Sequence, residues 1–276
     1  MIHEIMPEVM DNQYRDRRPE GDDRVLFVRG REILVREGTD GISYPLYRDV
    51  KERTGRIVYL FSVSGHPYFL GELLTSEIGG TRFMGWEQLR DAGPRAEAFA
   101  GMTGIHLYQW YQSAQFCGRC GKKAVHHGKE RMMYCPSCGH VMFPRIAPAV
   151  IVAVTDGERL LLTKYAGREN AHFALVAGFV EVGETAEECV RRELLEEVGI
   201  HVRDIRYYGS QPWGFAGNLM LAYTARLDGA HAIDLDRHEL SEAAWLLPEE
   251  IPEIPDHSSL TREMIRRFRE GRLYCH

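Results

Sequence analysis

Three glutamates, Glu193, Glu196 and Glu197, stand close together in the run from Gly178 to Ile200, GFVEVGETAEECVRRELLEEVGI. On a helical wheel of roughly 100° per residue, with Ala186 at zero, they fall near roughly 340°, 280° and 20°. They share that arc with Cys189, Ala186 and Val190, and a mostly apolar arc on the other side carries Leu194, Val198 and Leu195. Glu193 and Glu197 are one helical turn apart and repel each other. Small apolar neighbours imply partial burial, which raises the cost of the charge. A hard divalent cation offsets both effects, because Mg²⁺ and Mn²⁺ take oxygen ligands. A cation there can also polarise a phosphoryl oxygen and lower the pKa of a bound water. For the three glutamates alone, a solvated acidic helix face is the favoured reading.

A second constellation is C-x2-C-x14-C-x2-C, formed by Cys117, Cys120, Cys135 and Cys138. Each C-x-x-C pair aims two thiolates at one ion, and four thiolates make a closed tetrahedral site for one structural Zn²⁺ per chain. A glycine follows the second cysteine of each pair, at Gly121 and Gly139. Disulfides or a redox pair are the alternatives. His126, His127 and His140 lie nearby, but four sulfurs already saturate such a site. Lys122, Lys123, Lys129 and Arg131 form a basic cluster through which the ribbon could grip nucleic acid.

The elements that position the glutamates are legible around them. Thr185 can cap a helix, with Glu188 completing a capping box, and Gly199 suits the left-handed residue that ends it. Residues 149–154 and 159–164 read as strands joined by an Asp156-Gly157 turn, and 172–178 as a third strand leading into the loop before the helix. VRDIRYYGSQPW, NLMLAYTARL and EAAWLLP supply three more. A closing helix is predicted over 258–271, capped by Ser258 or Ser259 and stopped by Gly271. The order β-β-β-α-β-β-β-α describes a mixed sheet between helices.

Ahead of this lies a polar stretch, residues 1–22, which reads as a loosely packed arm. RVLFV and EILV then flank Arg29-Gly30-Arg31 as a hairpin, and RIVYLFSV and YFLGELL flank a turn at Ser64–Pro67, with His66 as a turn residue. A helix over about 94–113, with Pro94 in its first turn, carries an apolar stripe of Phe99, Met102, Leu107, Trp110 and Tyr111 suited to a core or a dimer face. The reading is α+β with three parts: a β-rich N-terminal domain over 1–112, a four-cysteine ribbon over 113–145, and a catalytic α/β/α sandwich over 146–276.

A net charge of −6 over 276 residues argues against non-specific nucleic-acid binding as the main task. No apolar run is long enough to span a bilayer, and MIHEIMPEVM is not a signal peptide. Six cysteines, with Cys189 and Cys275 standing alone, do not form a disulfide framework. A reducing, cytoplasmic compartment is the expectation.

The run from Gly178 matches G-x5-E-x7-R-E-U-x-E-E-x-G-U, with U a bulky apolar residue. It does so at Gly178, Glu184, Arg192, Glu193, Leu194, Glu196, Glu197, Gly199 and Ile200. In this it resembles the Nudix hydrolases. The resemblance implies metal-dependent hydrolysis of a nucleoside diphosphate linked to another group. Glu193 and Glu197 would be the central ligands of two or three Mg²⁺ or Mn²⁺ ions. Glu196, Glu239 and the Ala177 carbonyl would assist, and Arg192 would pair with a glutamate, Glu184 completing the catalytic set. The ribbon and the segment Ser210-Gln211-Pro212-Trp213-Gly214-Phe215-Ala216-Gly217-Asn218 resemble the NADH pyrophosphatase branch.

That branch implies a substrate site lined by Gln211 to Asn218, with Phe143, Phe179 and Thr261, and a homodimer. Gly214 and Ala216 replace prolines of the branch, Phe143 a tyrosine and Thr261 an alanine. Loss of the prolines predicts a looser loop. The implied reaction cleaves NADH or NAD⁺ to nicotinamide mononucleotide and AMP. NAD-capped RNA, ADP-ribose and diadenosine polyphosphate are alternative substrates, and a non-catalytic, nucleotide-sensing zinc-ribbon regulator is the alternative of another class.

Overall fold

The computed structural model describes residues 1–167, 172–253 and 257–274. Cys275 lies outside the described residues. The chain divides into two compact units: Ile2–Arg145 with Gly214–Gly217, and Met1 with Ile146–Trp213 and Asn218–His276. No helix among the described residues is long and apolar enough to cross a membrane.

In the first unit, β1 (Met10–Asp11), β2 (Arg24–Leu26), β6 (Thr54–Val63) and β7 (His66–Leu73) form one sheet in the order β1-β6-β7-β2. A second sheet holds β3 (Val28–Arg29), β4 (Glu32–Gly38), β5 (Gly41–Ser43) and β8 (Arg82–Gly85). A short helix, α1 (Tyr47–Val50), precedes β6. The RVLFV run is divided between the sheets. Only Val28–Arg29 joins the β4 hairpin, while Arg24–Leu26 pairs in parallel with β7. The β6–β7 turn is Ser64-Gly65, both with positive φ, so His66 and Pro67 already belong to β7.

Residues 1–22 depart from the expected loose arm: Ile2 and Ile5 are buried, and β1 extends the sheet beside β6. These anchors are isolated in polar sequence and make no periodic pattern. Helix α2 (Arg95–Ser113) buries Phe99, Met102, Leu107, Trp110 and Tyr111. The ribbon strands β9 (Val125–His126), β10 (Met133–Tyr134) and β11 (Val141–Met142) follow in the order β11-β10-β9.

The second unit is built on β12 (Ala147–Asp156), which is buried on both faces. It pairs in parallel with β16 (Asn218–Asp228), and antiparallel with β14 (Val176–Phe179) and the start of β13 (Arg159–Tyr165). β15 (His201–Trp213) flanks β16, and β17 (Leu240–Leu246) flanks β13. Of the predicted 172–178 strand, only the end is in the sheet, Ala174 making an isolated bridge to Thr163.

Side chains alternate across β12. Val150, Val152 and Val154 pack with Val190, Leu194 and Val198 of α3 (Ala186–Val198). Ile151 and Ala153 pack with Leu260, Met264 and Ile265 of α4 (Leu260–Arg269). A period of two thus supplies both cores from one strand. The expected element order holds throughout.

The buried arc of α3 is rotated from an apolar reading of the wheel. Cys189, Val190, Leu194, Glu197 and Val198 are buried, while Leu195 is 49% exposed. Leu194→Ala is expected to cost about 2–5 kcal/mol. Leu195→Ala should stay within about 0.5 kcal/mol. Denaturant titration of both variants checks this, and equal losses would contradict the rotated arc.

Candidate active site

The ends of α3 are fixed by local chemistry. Glu188 N–H donates to Thr185 Oγ1 at 3.2 Å, and Thr185 N–H donates to Glu188 Oε2 at 2.8 Å. At the other end Gly199 adopts φ 68°, and a Cβ there would meet the Asp234 Cβ at 2.7 Å. Glycine is required on both counts.

Arg192 organises the carboxylates. Its Nε and Nη2 donate to the two oxygens of Glu184 at 2.8 and 2.9 Å, a bidentate pair. Nη1 donates to Glu193 Oε1 at 2.7 Å and to Glu196 Oε2 at 3.1 Å. Nη2 also reaches the Phe179 carbonyl at 2.9 Å, tying the helix to the end of β14. The guanidinium holds Glu184 down at about 2, helped by the Glu181 N–H. Cys189 is buried beneath and donates to the Phe179 carbonyl at 3.2 Å, and burial pushes its thiol up to about 12.

Glu193 occupies a cradle that exists because residue 178 has no side chain: a Cβ on Gly178 would overlap its carboxylate. Burial pushes Glu193 above the usual carboxylate range, against the pull of Arg192. Glu197 is the more strained group. It is 4% exposed, and its Oε2 has no hydrogen-bond partner. Burial raises it to about 8, and Glu193, Glu239, Asp236 and Glu196 push the same way. Such an atom is costly unless something positive meets it. A donor set made wholly of carboxylate oxygens suits a hard divalent cation, so the residues present fit Mg²⁺ or Mn²⁺.

Glu239 is exposed, in the turn before β17, and its electrostatic effect reaches both Glu193 and Glu197. Asp236, which the sequence reading passed over, acts on Glu197 as well, and its N–H donates to the Glu197 carbonyl at 2.9 Å. The only available signal was its place among the acids of DLDRHE. Ala177 sits opposite Ile151 on β14, one residue before the cradle.

The four cysteines converge, their sulfurs all within 4.8 Å of one another, and among the described residues theirs is the one such metal-ligating group. Cys117 and Cys138 sulfurs are 3.6 Å apart, Cys120 and Cys135 3.5 Å. A tetrahedron with bonds of about 2.3 Å has edges of about 3.8 Å. Each knuckle closes through a glycine N–H, Gly121 to the Cys117 carbonyl at 2.8 Å and Gly139 to the Cys135 carbonyl at 2.9 Å. Arg131 does not belong to a free basic cluster: its guanidinium donates to the carbonyls of Asn12 and Leu60. His126 bonds the Tyr111 hydroxyl instead of a metal.

Residues 145–268 match the family model described as NUDIX domain, and residues 112–143 that of the NADH pyrophosphatase zinc ribbon domain. A protein of Stutzerimonas stutzeri named NAD-capped RNA hydrolase NudC is 34% identical over 211 residues, covering 76% of each chain. The chain belongs to the Nudix hydrolases, in the NADH pyrophosphatase branch. Proteins of the same name from Chromobacterium violaceum and Vibrio parahaemolyticus are each 39% identical. The first match covers 66% of this chain and 69% of the relative; the second covers 56% and 60%.

In this Nudix hydrolase the cysteine quartet is the four-sulfur centre of the ribbon, the ligand set of a structural Zn²⁺. Phe179, 55% exposed, follows the Gly178 cradle on β14. Gln211 is buried, its amide donating to the Ser258 carbonyl at 2.9 Å and accepting from Leu260 N–H at 2.7 Å. It therefore anchors the first turn of α4, where Thr261 is half-buried. Pro212 is exposed, Trp213 half-buried and paired with Asn218, and the Asn218 Oδ1 is buried without a partner.

Phe143 is exposed in the first unit. Gly214, Phe215, Ala216 and Gly217 cluster with that unit too. The loop they form is held, contrary to the expected looseness. A Cβ on Gly214 would meet the Met102 carbonyl oxygen at 2.6 Å, and Gln109 Nε2 donates to the Phe215 carbonyl at 3.4 Å. Glycine here permits close approach to α2.

The orphaned Glu197 oxygen has a consequence for pH. Its folded value near 8 lies above an ordinary 4.5, so folding favours the protonated form. The contribution is full below 4.5 and is lost as pH rises through about 8. Without added divalent cation, Glu197→Gln should melt at a higher temperature than the parent at pH 9 and close to it at pH 4. Thermal melts at the two pH values check this; a variant less stable at pH 9 would contradict it.

Proposed function

We propose that this Nudix hydrolase cleaves the pyrophosphate of NADH and NAD⁺ to nicotinamide mononucleotide and AMP. We propose further that it cleaves the same pyrophosphate in the cap of NAD-capped RNA, releasing nicotinamide mononucleotide and leaving a 5′-monophosphate on the RNA. The observation that carries the reading is the buried, partnerless Glu197 oxygen beside Glu193, within a completely matched Nudix segment. The relatives' shared name, NAD-capped RNA hydrolase NudC, supports the substrate class.

Glu193, Glu196, Glu197 and Glu239, with the Ala177 carbonyl, would hold two or three Mg²⁺ or Mn²⁺ ions, and Asp236 adds negative charge beside them. When bound, such ions neutralise the diphosphate and lower the pKa of a water ligand. The chain supplies the rest. Arg192, locked by Glu184, fixes Glu193 and Glu196, and a carboxylate of the cluster accepts the proton of the attacking water. The exposed Phe179 ring, beside the cradle, offers a face for a nicotinamide or adenine ring. The family resemblance also assigns substrate contact to Gln211, Pro212, Trp213, Asn218 and Thr261 of the second unit, and to Phe143, Gly214, Phe215, Ala216 and Gly217 of the first. Zn²⁺ holds the ribbon, and a homodimer in a reducing cytoplasm is the working assembly.

Product analysis with Mn²⁺ tests the reading. AMP and reduced nicotinamide mononucleotide should form from NADH, and a 5′-phosphorylated RNA from the capped transcript. Gly178→Ala, which displaces Glu193, should lower kcat by about 10–100-fold with the fold retained. Faster turnover of ADP-ribose than of either NAD form would overturn the substrate assignment.

A further inference from the structure

The first unit contains a cavity of 450 Å³ between its sheets and the last turns of α2. That volume is typical of a small-molecule site. Phe27, Val58 and Leu70 line it, and Phe83 faces it from β8. The wall from α2 is Tyr108, Tyr111 and Gln112, spaced to share one helix face, with Gln115 just beyond the helix end. Tyr111 is occupied by His126. The two glutamines share one bond, Gln115 Nε2 to Gln112 Oε1 at 2.5 Å, which leaves the Gln112 side-chain N–H groups and the Gln115 Oε1 for a ligand.

The cationic side is built by an irregularity in the sheet. The β6–β7 register shifts between Thr54 and Ile57, so Arg56 falls in a bulge. Bulges re-aim side chains, and this one turns Arg56 to the cavity. Glu72, the one acid in the lining, accepts the Arg56 backbone N–H at 3.4 Å. No ion pair or hydrogen bond engages the Arg56 guanidinium among the described residues. Its charge reaches Tyr111, whose hydroxyl is pushed up by burial and drawn back by Arg131 and Arg56. Arg29 lies over the Phe83 ring at 3.9 Å and pairs with Glu32, forming a flat stacking surface at the rim.

Aromatic and guanidinium planes, amides with open donors and acceptors, and one free cation match one ligand chemistry. The planes take a heterocycle, the amides its polar edge, and Arg56 a phosphate. A purely apolar ligand would leave Arg56 and the amides unmet, and a metal ion would find one carboxylate only. We propose that this cavity is a second nucleotide-binding site, taking a base and its phosphate, separate in function from the carboxylate cluster. The nucleotide comes either free in solution, as AMP does, or from the body of an RNA.

The test uses the full chain, without added divalent cation. AMP and a short 5′-monophosphorylated RNA without a cap are the two probes, titrated by calorimetry. Arg56→Gln and Gln112→Ala, both at exposed positions, should each weaken binding at least ten-fold while kcat and KM for NADH stay within about two-fold. Binding of the RNA alone assigns the site to polynucleotide, and binding of AMP as well assigns it to free nucleotide. No binding of either probe at millimolar concentration overturns the proposal. So does unchanged affinity in both variants, which would assign the probe to the catalytic cluster. NADH turnover is read separately, so failure here leaves the hydrolase reading standing or falling on its own products.

Discussion

A buried carboxylate without a partner is the constraint on which the second unit depends. Glu197 lies in the middle of the arc that α3 presents to the sheet, with its Oε2 shielded from water and unbonded. Nothing in ordinary core packing favours that choice. It is tolerable as a protonated acid, or as an anion facing a cation. The same helix surrounds it with Glu193 and Glu196, and the connection between β16 and β17 adds Asp236 and Glu239, so the field opposes ionisation from several sides. The fold thus stores an electrostatic imbalance that a bound divalent cation removes.

The surrounding elements hold that imbalance in place. Glu193 cannot swing away, because it is seated over Gly178 and tethered to Arg192. Arg192 in turn is gripped by Glu184 and by the carbonyl that ends β14. The helix is clamped at one end by its capping box and at the other by Gly199 against Asp234. β12 contributes alternate side chains to the cores on both faces, so the strand that pairs with β14 is buried on both sides.

What the sequence made legible was local or periodic. Thr185, Glu188 and Gly199 act within one turn of the chain, so their roles could be read without knowing the fold. The element order followed from runs and turns, and the cysteine spacing led to a converged quartet. What it hid was tertiary. A wheel shows that Leu195 and Glu197 lie on different arcs, but not which arc the sheet will cover. Asp236 reaches Glu197 only because the chain returns after β16. Gln211 belongs to a motif that suggests substrate contact, yet its amide anchors the start of α4. Gly214 reads as flexibility until Met102 is seen beside it. Ile2 and Ile5 are single apolar residues in a polar stretch, and only the packed sheet shows that they are anchors.

Proton release on metal binding measures the central imbalance directly. Mn²⁺ titrated calorimetrically into the protein at pH 7, in two buffers of different ionisation enthalpy, reports the protons displaced. With Glu197 near 8, about one proton per chain should leave on binding at pH 7, and almost none at pH 9.5. Binding at pH 7 with no proton released would mean that Glu197 is already ionised without metal, and the account of the site would be wrong.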